Sequence, residues 1–284
     1  MSISEVLGPR TVLDLGRGPL LVRSSGSGHP ILFLHGIIAN GDLWRGVVAD
    51  LNAEFRCIVP DWPLGSHRLP MPAGTDFTLF GLADLVAETI DAIGEPVVLV
   101  ANDTGGAIAQ AVAARHPDKL RSLVLTPCDA YDNFLPRPIK HLQVAGRTNA
   151  GLWVLSQSLR FRQIQRLPIA FGRLTLRPIP SDVMRSYTEP LRSDSCIRRD
   201  FAQLVRSIST RYTMEAAVGI GAFRGPALLA WSDDRHQFFP IAHARRLAAA
   251  LPDARIEVVA DSGPFIPEDQ PRALAALIRL FIGR

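Results

Sequence analysis

Residues 96 to 117, PVVLVANDTGGAIAQAVAARHP, hold the arrangement with the most chemical content. An apolar run from Val97 to Ala101 stops at Asn102-Asp103-Thr104-Gly105-Gly106, and a helix-period pattern begins directly after it. This predicts a strand, a sharp turn and a helix, with the Asp103 carboxylate at the apex. The small residues that follow let the helix backbone come close to the strand, where larger side chains would collide. The helix start aims free N–H groups and partial positive charge at the apex. A carboxylate placed there can attack carbon, move a proton, or simply fix the turn through its own hydrogen bonds.

Other reactive side chains are scattered. Of the seven histidines, His35 precedes a glycine in a strand-end turn, and His116 ends a helix before Pro117. His67, in DWPLGSH, follows the fourth strand-like run, on the side of a parallel sheet where sites form. His236 follows the acidic pair Asp233-Asp234. His29, His141 and His243 have no motif around them. Cys57, Cys128 and Cys196 are odd in number and far apart, the pattern of buried small hydrophobes in a reducing compartment. A cytoplasmic location is therefore expected. No residue set points to a metal, and Gly16-x-Gly18 and Gly219-x-Gly221 do not extend into a dinucleotide fingerprint, so no cofactor is expected.

The elements that must position these groups follow from periodicity. Strand-like runs occur at 11–15, 19–24, 31–36, 55–62, 97–103, 123–129, 227–234 and 255–262. From residue 31 onward they alternate with helix-period runs at 43–52, 80–93, 106–116, 241–251 and 271–282. Alternation of this kind predicts a mostly parallel eight-stranded sheet covered by helices. Short glycine-rich turns join the first three strands, as in an antiparallel meander. Between 131 and 220 no strand-like run appears and prolines are frequent, which predicts a helical insertion. Residues 1–130 and 221–284 then form the core domain, and 131–220 a cap.

Composition is that of a globular protein, 47% hydrophobic and 20% charged. No apolar run reaches the roughly 18 residues of a membrane span, and MSISEVLGPRTVLDLG has no signal-peptide pattern. The net charge of +4 is unevenly distributed: residues 131–212 carry 13 Arg and 1 Lys against 5 acids. Either this is an ordinary solvated helical surface, or it is a field that draws an anionic or carrier-bound small molecule to the site. Nucleic acid and membrane partners are not expected.

His35-Gly36 after a strand, the turn at 101–106, WSDD at 231–234 and SGPFIPEDQP at 262–271, in that order, resemble the α/β-hydrolase superfamily in its haloalkane dehalogenase and epoxide hydrolase branch. The resemblance covers residues 11–130 and 222–284. It implies that 101–105 is a nucleophile elbow of the G-x-S-x-G type with aspartate in the serine slot. It places the oxyanion-hole N–H groups at Ile37 and Thr104, and the catalytic acid at Asp234. Around the pocket it points to Trp44, Tyr187 and Phe265 as substrate contacts, with His67 on a site-edge loop. The family's histidine segment, G-H-F, reads Gly263-Pro264-Phe265 here. The halide-binding Trp and Asn of dehalogenases are Thr104 and Ile37, which disfavours that activity. The function expected is hydrolysis of a small, mostly apolar ester or epoxide through Asp103. The alternatives are a cofactor-free lyase, isomerase or cyclase using Asp103 as acid or base, and a ligand-binding protein without turnover. His67 and His236 are the candidates for a replacement base.

Overall fold

The computed structural model describes residues 3–233 and 238–283. Eight strands form one sheet: β1 (Arg10–Leu15), β2 (Gly18–Ser25), β3 (Pro30–Leu34), β4 (Arg56–Asp61), β5 (Val97–Asp103), β6 (Leu120–Cys128), β7 (Ala227–Ser232) and β8 (Ala254–Val259). Their spatial order is β1-β2-β4-β3-β5-β6-β7-β8. All eight coincide with the strand-like runs of the sequence. β1 and β2 pair antiparallel, as do β2 and β4, and the other pairings are parallel. The expected meander of the first three strands is not formed. β4 inserts between β2 and β3, because the helix α1 (Arg45–Leu51) carries the chain over the sheet and returns it beside β3.

Every residue of β3, β5 and β7 is buried, and β6 is buried apart from Arg121, so these strands are covered on both faces. That explains why they read as continuous apolar runs and not as alternating ones. The covering helices are α1, α2 (Leu79–Ile93) and α3 (Thr104–Arg115). α2 starts at the Thr78 side chain, which accepts from the Gly81 N–H, and stops at Gly94 in the left-handed region.

Between β6 and β7 the chain is helical: α4 (His141–Ala145), α5 (Asn149–Ser158), α6 (Arg162–Gln165), α7 (Ser181–Ser193), α8 (Ser195–Ser207) and α9 (Thr210–Gly219). Among the described residues no strand of this segment joins the sheet. α4, α5, α7 and α8 pack on one another, but α9 packs on α2 and α3 beside the sheet. The contact is close because Gly219 faces Ala114, where an added Cβ would lie 3.0 Å from the alanine methyl. The helical segment thus divides into a group formed by α4, α5, α7 and α8, and the separate helix α9. α10 (Ile241–Ala250), α11 (Ile266–Asp269) and α12 (Pro271–Ile282) complete the fold, α12 against α1. Among the described residues no helix is long and apolar enough to cross a membrane.

Candidate active site

β5 ends in a register shift between Ala101 and Asp103, and α3 begins at the next residue. Asp103 takes φ 58° and ψ −133°, a conformation costly for a side chain larger than glycine, on the order of 1–3 kcal/mol. The turn is possible because the helix start has no side chains where it meets the sheet. A Cβ on Gly105 would lie 2.5 Å from the His35 carbonyl oxygen, and one on Gly106 would lie 2.2 Å from the Cys128 Cβ.

The Asp103 carboxylate is buried, and its Oδ1 accepts two backbone N–H groups, from Thr104 at 2.7 Å and from Ile37 at 3.3 Å. The two donors assigned from the sequence thus converge on the aspartate itself. Burial raises its pKa above the ordinary carboxylate value, and the Thr104 and Ile37 bonds oppose that rise. Gly36 makes room for the carboxylate: a Cβ there would sit 2.2 Å from Oδ1.

Asp103 lies at the wall of a cavity of about 360 Å³. The rest of the wall is almost wholly apolar and includes Ile37, Leu142, Val154, Ile169, Leu174 and Phe238. A second carboxylate, Asp129, follows β6 and is buried too. Its Oδ2 accepts the Thr104 hydroxyl at 3.0 Å, while its Oδ1 has no hydrogen-bond partner among the described residues. Burial, together with the charge of Asp103, holds Asp129 well above the usual carboxylate range. Thr104 therefore bridges two buried carboxyl groups, its N–H on one and its O–H on the other.

The histidines separate clearly. His35 Nε2 accepts the Trp62 N–H at 2.9 Å, so its Nδ1 carries the proton and donates to the Gly36 carbonyl. Burial keeps this imidazole neutral by lowering its pKa to about 3. His67 is buried against Asp200 of α8, at 3.2 Å. His141 does line the cavity; its Nδ1 donates to the Pro138 carbonyl at 3.1 Å, which leaves Nε2 with a free lone pair. Asp234 and His236 lie outside the described residues.

Four residues expected at the pocket are not on this cavity wall. Trp44 is fully buried and packs on Phe33, ring centroids 5.1 Å apart. Tyr187 donates its hydroxyl to Glu268 at 2.8 Å, and Arg45 grips the same carboxylate with two bonds of 2.7 Å. Its ring stacks behind Phe171, which does reach the cavity. Phe265 is fully buried and its N–H donates to the Leu174 carbonyl. His67 is held away by Asp200. The resemblance, or a loop position for His67, suggested a place for each of these at the pocket, and packing gives each another partner.

The 262–265 loop is clamped. Asn102 Nδ2 donates to the Pro264 carbonyl at 2.9 Å, and Asp269 accepts N–H groups from Gly263, Leu176 and Arg177. Pro264 brings no titratable group to this position beside the elbow. Asp129 and His141 are the chemically relevant residues that sequence reasoning missed. Asp129 had a signal: it ends the run after the elbow strand, at the carboxyl edge of a parallel sheet. His141 had none.

A family model for the alpha/beta hydrolase fold matches residues 29–271. The chain is 27% identical over 272 residues to haloalkane dehalogenase 2 of Mycobacterium tuberculosis, covering 93% of this chain and 92% of that one. It is 24% identical over 280 residues to a cis-3-alkyl-4-alkyloxetan-2-one decarboxylase of Shewanella oneidensis, with 91% and 83% covered. A crystal structure of a haloalkane dehalogenase loop variant from Bradyrhizobium elkanii superposes with TM-score 0.76 at 22% identity, over 97% of this chain and 96% of that one.

Proposed function

Because the chain belongs to the alpha/beta hydrolase fold family, we propose that it hydrolyses a small, mostly apolar ester or epoxide, with Asp103 as the nucleophile and the helices between β6 and β7 as a cap. The observation that carries this reading is the Asp103 carboxylate at the wall of an apolar cavity, with one oxygen fixed by two backbone N–H groups. Fixing Oδ1 leaves the other oxygen to form a bond to carbon. With an epoxide, that bond forms as the ring C–O bond breaks, and the ring oxygen takes a proton from water. With an ester, an acyl–aspartate anhydride forms and the alcohol leaves. Water then attacks the Asp103 carboxyl carbon. Negative charge develops on Oδ1, already between the Thr104 and Ile37 N–H groups, so the donors stabilise it without rearranging. Collapse breaks the Cγ–Oδ2 bond, so that oxygen leaves with the product and the oxygen from water completes the restored carboxylate.

The base for that second step differs from the family resemblance, since Pro264 stands where histidine is expected. Among the described residues His141 is the imidazole on the cavity wall, and its Nε2 is free to take a proton from water. Among the described residues His141 bonds only to the Pro138 carbonyl and has no carboxylate to orient it, so release of the ester is the slow step. Intact-mass spectrometry after exposure to an epoxide tests this. An adduct should persist on the peptide containing Asp103, be absent in Asp103→Asn, and persist longer in His141→Ala. Rapid turnover by Asp103→Asn would refute the assignment.

A second reading draws on Asp129. Two adjacent buried carboxyl groups, both with raised proton affinity, suit proton transfer without a covalent step, as in a lyase or isomerase. Turnover that depends on Asp103 yet leaves no adduct under rapid quench would favour it.

A further inference from the structure

Residues 133–181 contain eight basic side chains, seven Arg and Lys140, and no Asp or Glu. The same stretch supplies seven of the twelve large hydrophobic side chains that are exposed among the described residues. Cationic and exposed apolar groups therefore share one segment, which neither a plain solvated helix nor a soluble anion site requires.

Their placement is more specific than the composition. Val154, Leu167 and Ile169 are on the wall of the cavity that holds Asp103, yet they are 59%, 38% and 49% exposed, so they form its rim. Phe171 separates this cavity from a second cleft of about 340 Å³ lined by Arg162, Arg166 and Arg177 together with Leu176. None of those three guanidinium groups hydrogen-bonds or ion-pairs with a described residue. Phe161, half-exposed, precedes Arg162 and has the Arg160 guanidinium over its ring at 4.5 Å. The cavity mouth is thus rimmed by aliphatic side chains, and the cleft beside it carries arginines that are unpaired among the described residues.

We propose that this face docks on the surface of an anionic lipid bilayer, a partner not expected from the sequence. Arg162, Arg166 and Arg177 meet headgroup phosphates, and Phe161, Leu167, Ile169 and Leu176 enter the boundary of the acyl region. Charge complementarity selects the anionic surface, and the exposed apolar rim selects a bilayer over a soluble acidic protein, which would leave those side chains in water. Docking of this kind needs no membrane span. It also places the mouth of an apolar cavity against an apolar phase, so a substrate of that character reaches Asp103 without crossing water. Docking does not depend on the reaction proposed for Asp103.

Flotation of the full chain with vesicles of phosphatidylcholine, with and without added phosphatidylglycerol, tests it. Binding is expected only with the anionic lipid, and should weaken as salt rises. Each basic residue at such a surface is worth about fivefold in partitioning, so the R162Q/R166Q/R177Q variant should bind about 100-fold more weakly. The Arg177 backbone bond to Asp269 is untouched by that change. The F161S/L176S variant keeps every charge and should also bind less, an effect a purely electrostatic partner would not produce. The thermal unfolding transition should be unchanged in both variants, which checks that they fold. Failure to float on anionic vesicles would overturn the proposal. So would undiminished flotation of F161S/L176S combined with competition by soluble polyglutamate, which would reassign the face to an acidic protein.

Discussion

Replacing Gly36 with alanine tests whether the Asp103 carboxylate works from its N–H pair. The added Cβ would stand 2.2 Å from Oδ1 and 2.5 Å from both Cβ and Cγ of Asp103. Ordinary contact begins at 3.4 Å, so the carboxylate must retreat by about 1 Å. Gly36 does not lie in the left-handed region, so alanine adds no backbone penalty there. The retreat breaks or lengthens the bonds from Thr104 and Ile37, now 2.7 and 3.3 Å. Loss of one such donor costs about 10²- to 10³-fold in kcat, and a 1 Å misplacement alone costs about 10²-fold. Turnover on an ester or epoxide panel should therefore fall at least about 100-fold. Adduct formation on Asp103 should slow alongside it, while thermal unfolding still shows a cooperative transition. A folded Gly36→Ala variant with activity within a few-fold of wild type would refute the role given to the N–H pair.

Asp103→Asn should make the protein more stable at neutral and alkaline pH. The folded-state pKa of Asp103 is raised, so its ionisation opposes folding. Wild-type stability falls as pH rises from the ordinary 3.8 through the raised value, and each pH unit between those two values costs about 1.4 kcal/mol. Urea titrations across pH should show the asparagine variant gaining on wild type as pH rises; a gap that widens toward acid would contradict this. Pro264→His should shorten the lifetime of the Asp103 adduct, by up to the 10²- to 10⁴-fold typical of general-base catalysis, followed by the time course of adduct decay. The Asn102 bond to the residue 264 carbonyl survives that substitution. Asp200→Ala should cost about 1–3 kcal/mol by stripping partners from His67 and the Met71 N–H. Burial raises the Asp200 pKa, but its bonds from His67, Met71 and Arg199 outweigh burial and lower it. Its contribution is thus present above the ordinary carboxylate value and lost on acidification. Earlier proteolytic cleavage between 133 and 207, relative to the core, would report it.

The sequence by itself determined what depends on neighbouring residues. Val97 to Ala101 had to be a buried strand because its apolar run is unbroken, and Gly105-Gly106 marked where a helix could start tight against a sheet. Alternation of such runs fixed eight strands and a mostly parallel sheet, and the elbow located the central carboxylate and its two N–H donors. Tertiary structure decided what depends on residues far apart in the chain. Whether β2 pairs with β3 or with β4 is set by the path of α1 over the sheet, which periodicity does not encode. Trp44, Tyr187 and Phe265 are aromatic residues in segments suited to wall a pocket, but Phe33, the Arg45–Glu268 pair and Leu174 hold them away from the cavity. Asp129 becomes a partner of Asp103 only because β5 and β6 are adjacent and Thr104 spans their ends. The arginines between 133 and 181 were visible as charge from the start. That Arg162, Arg166 and Arg177 stand unpaired among the described residues, beside an exposed apolar rim, emerged only when folding had buried the other faces of those helices.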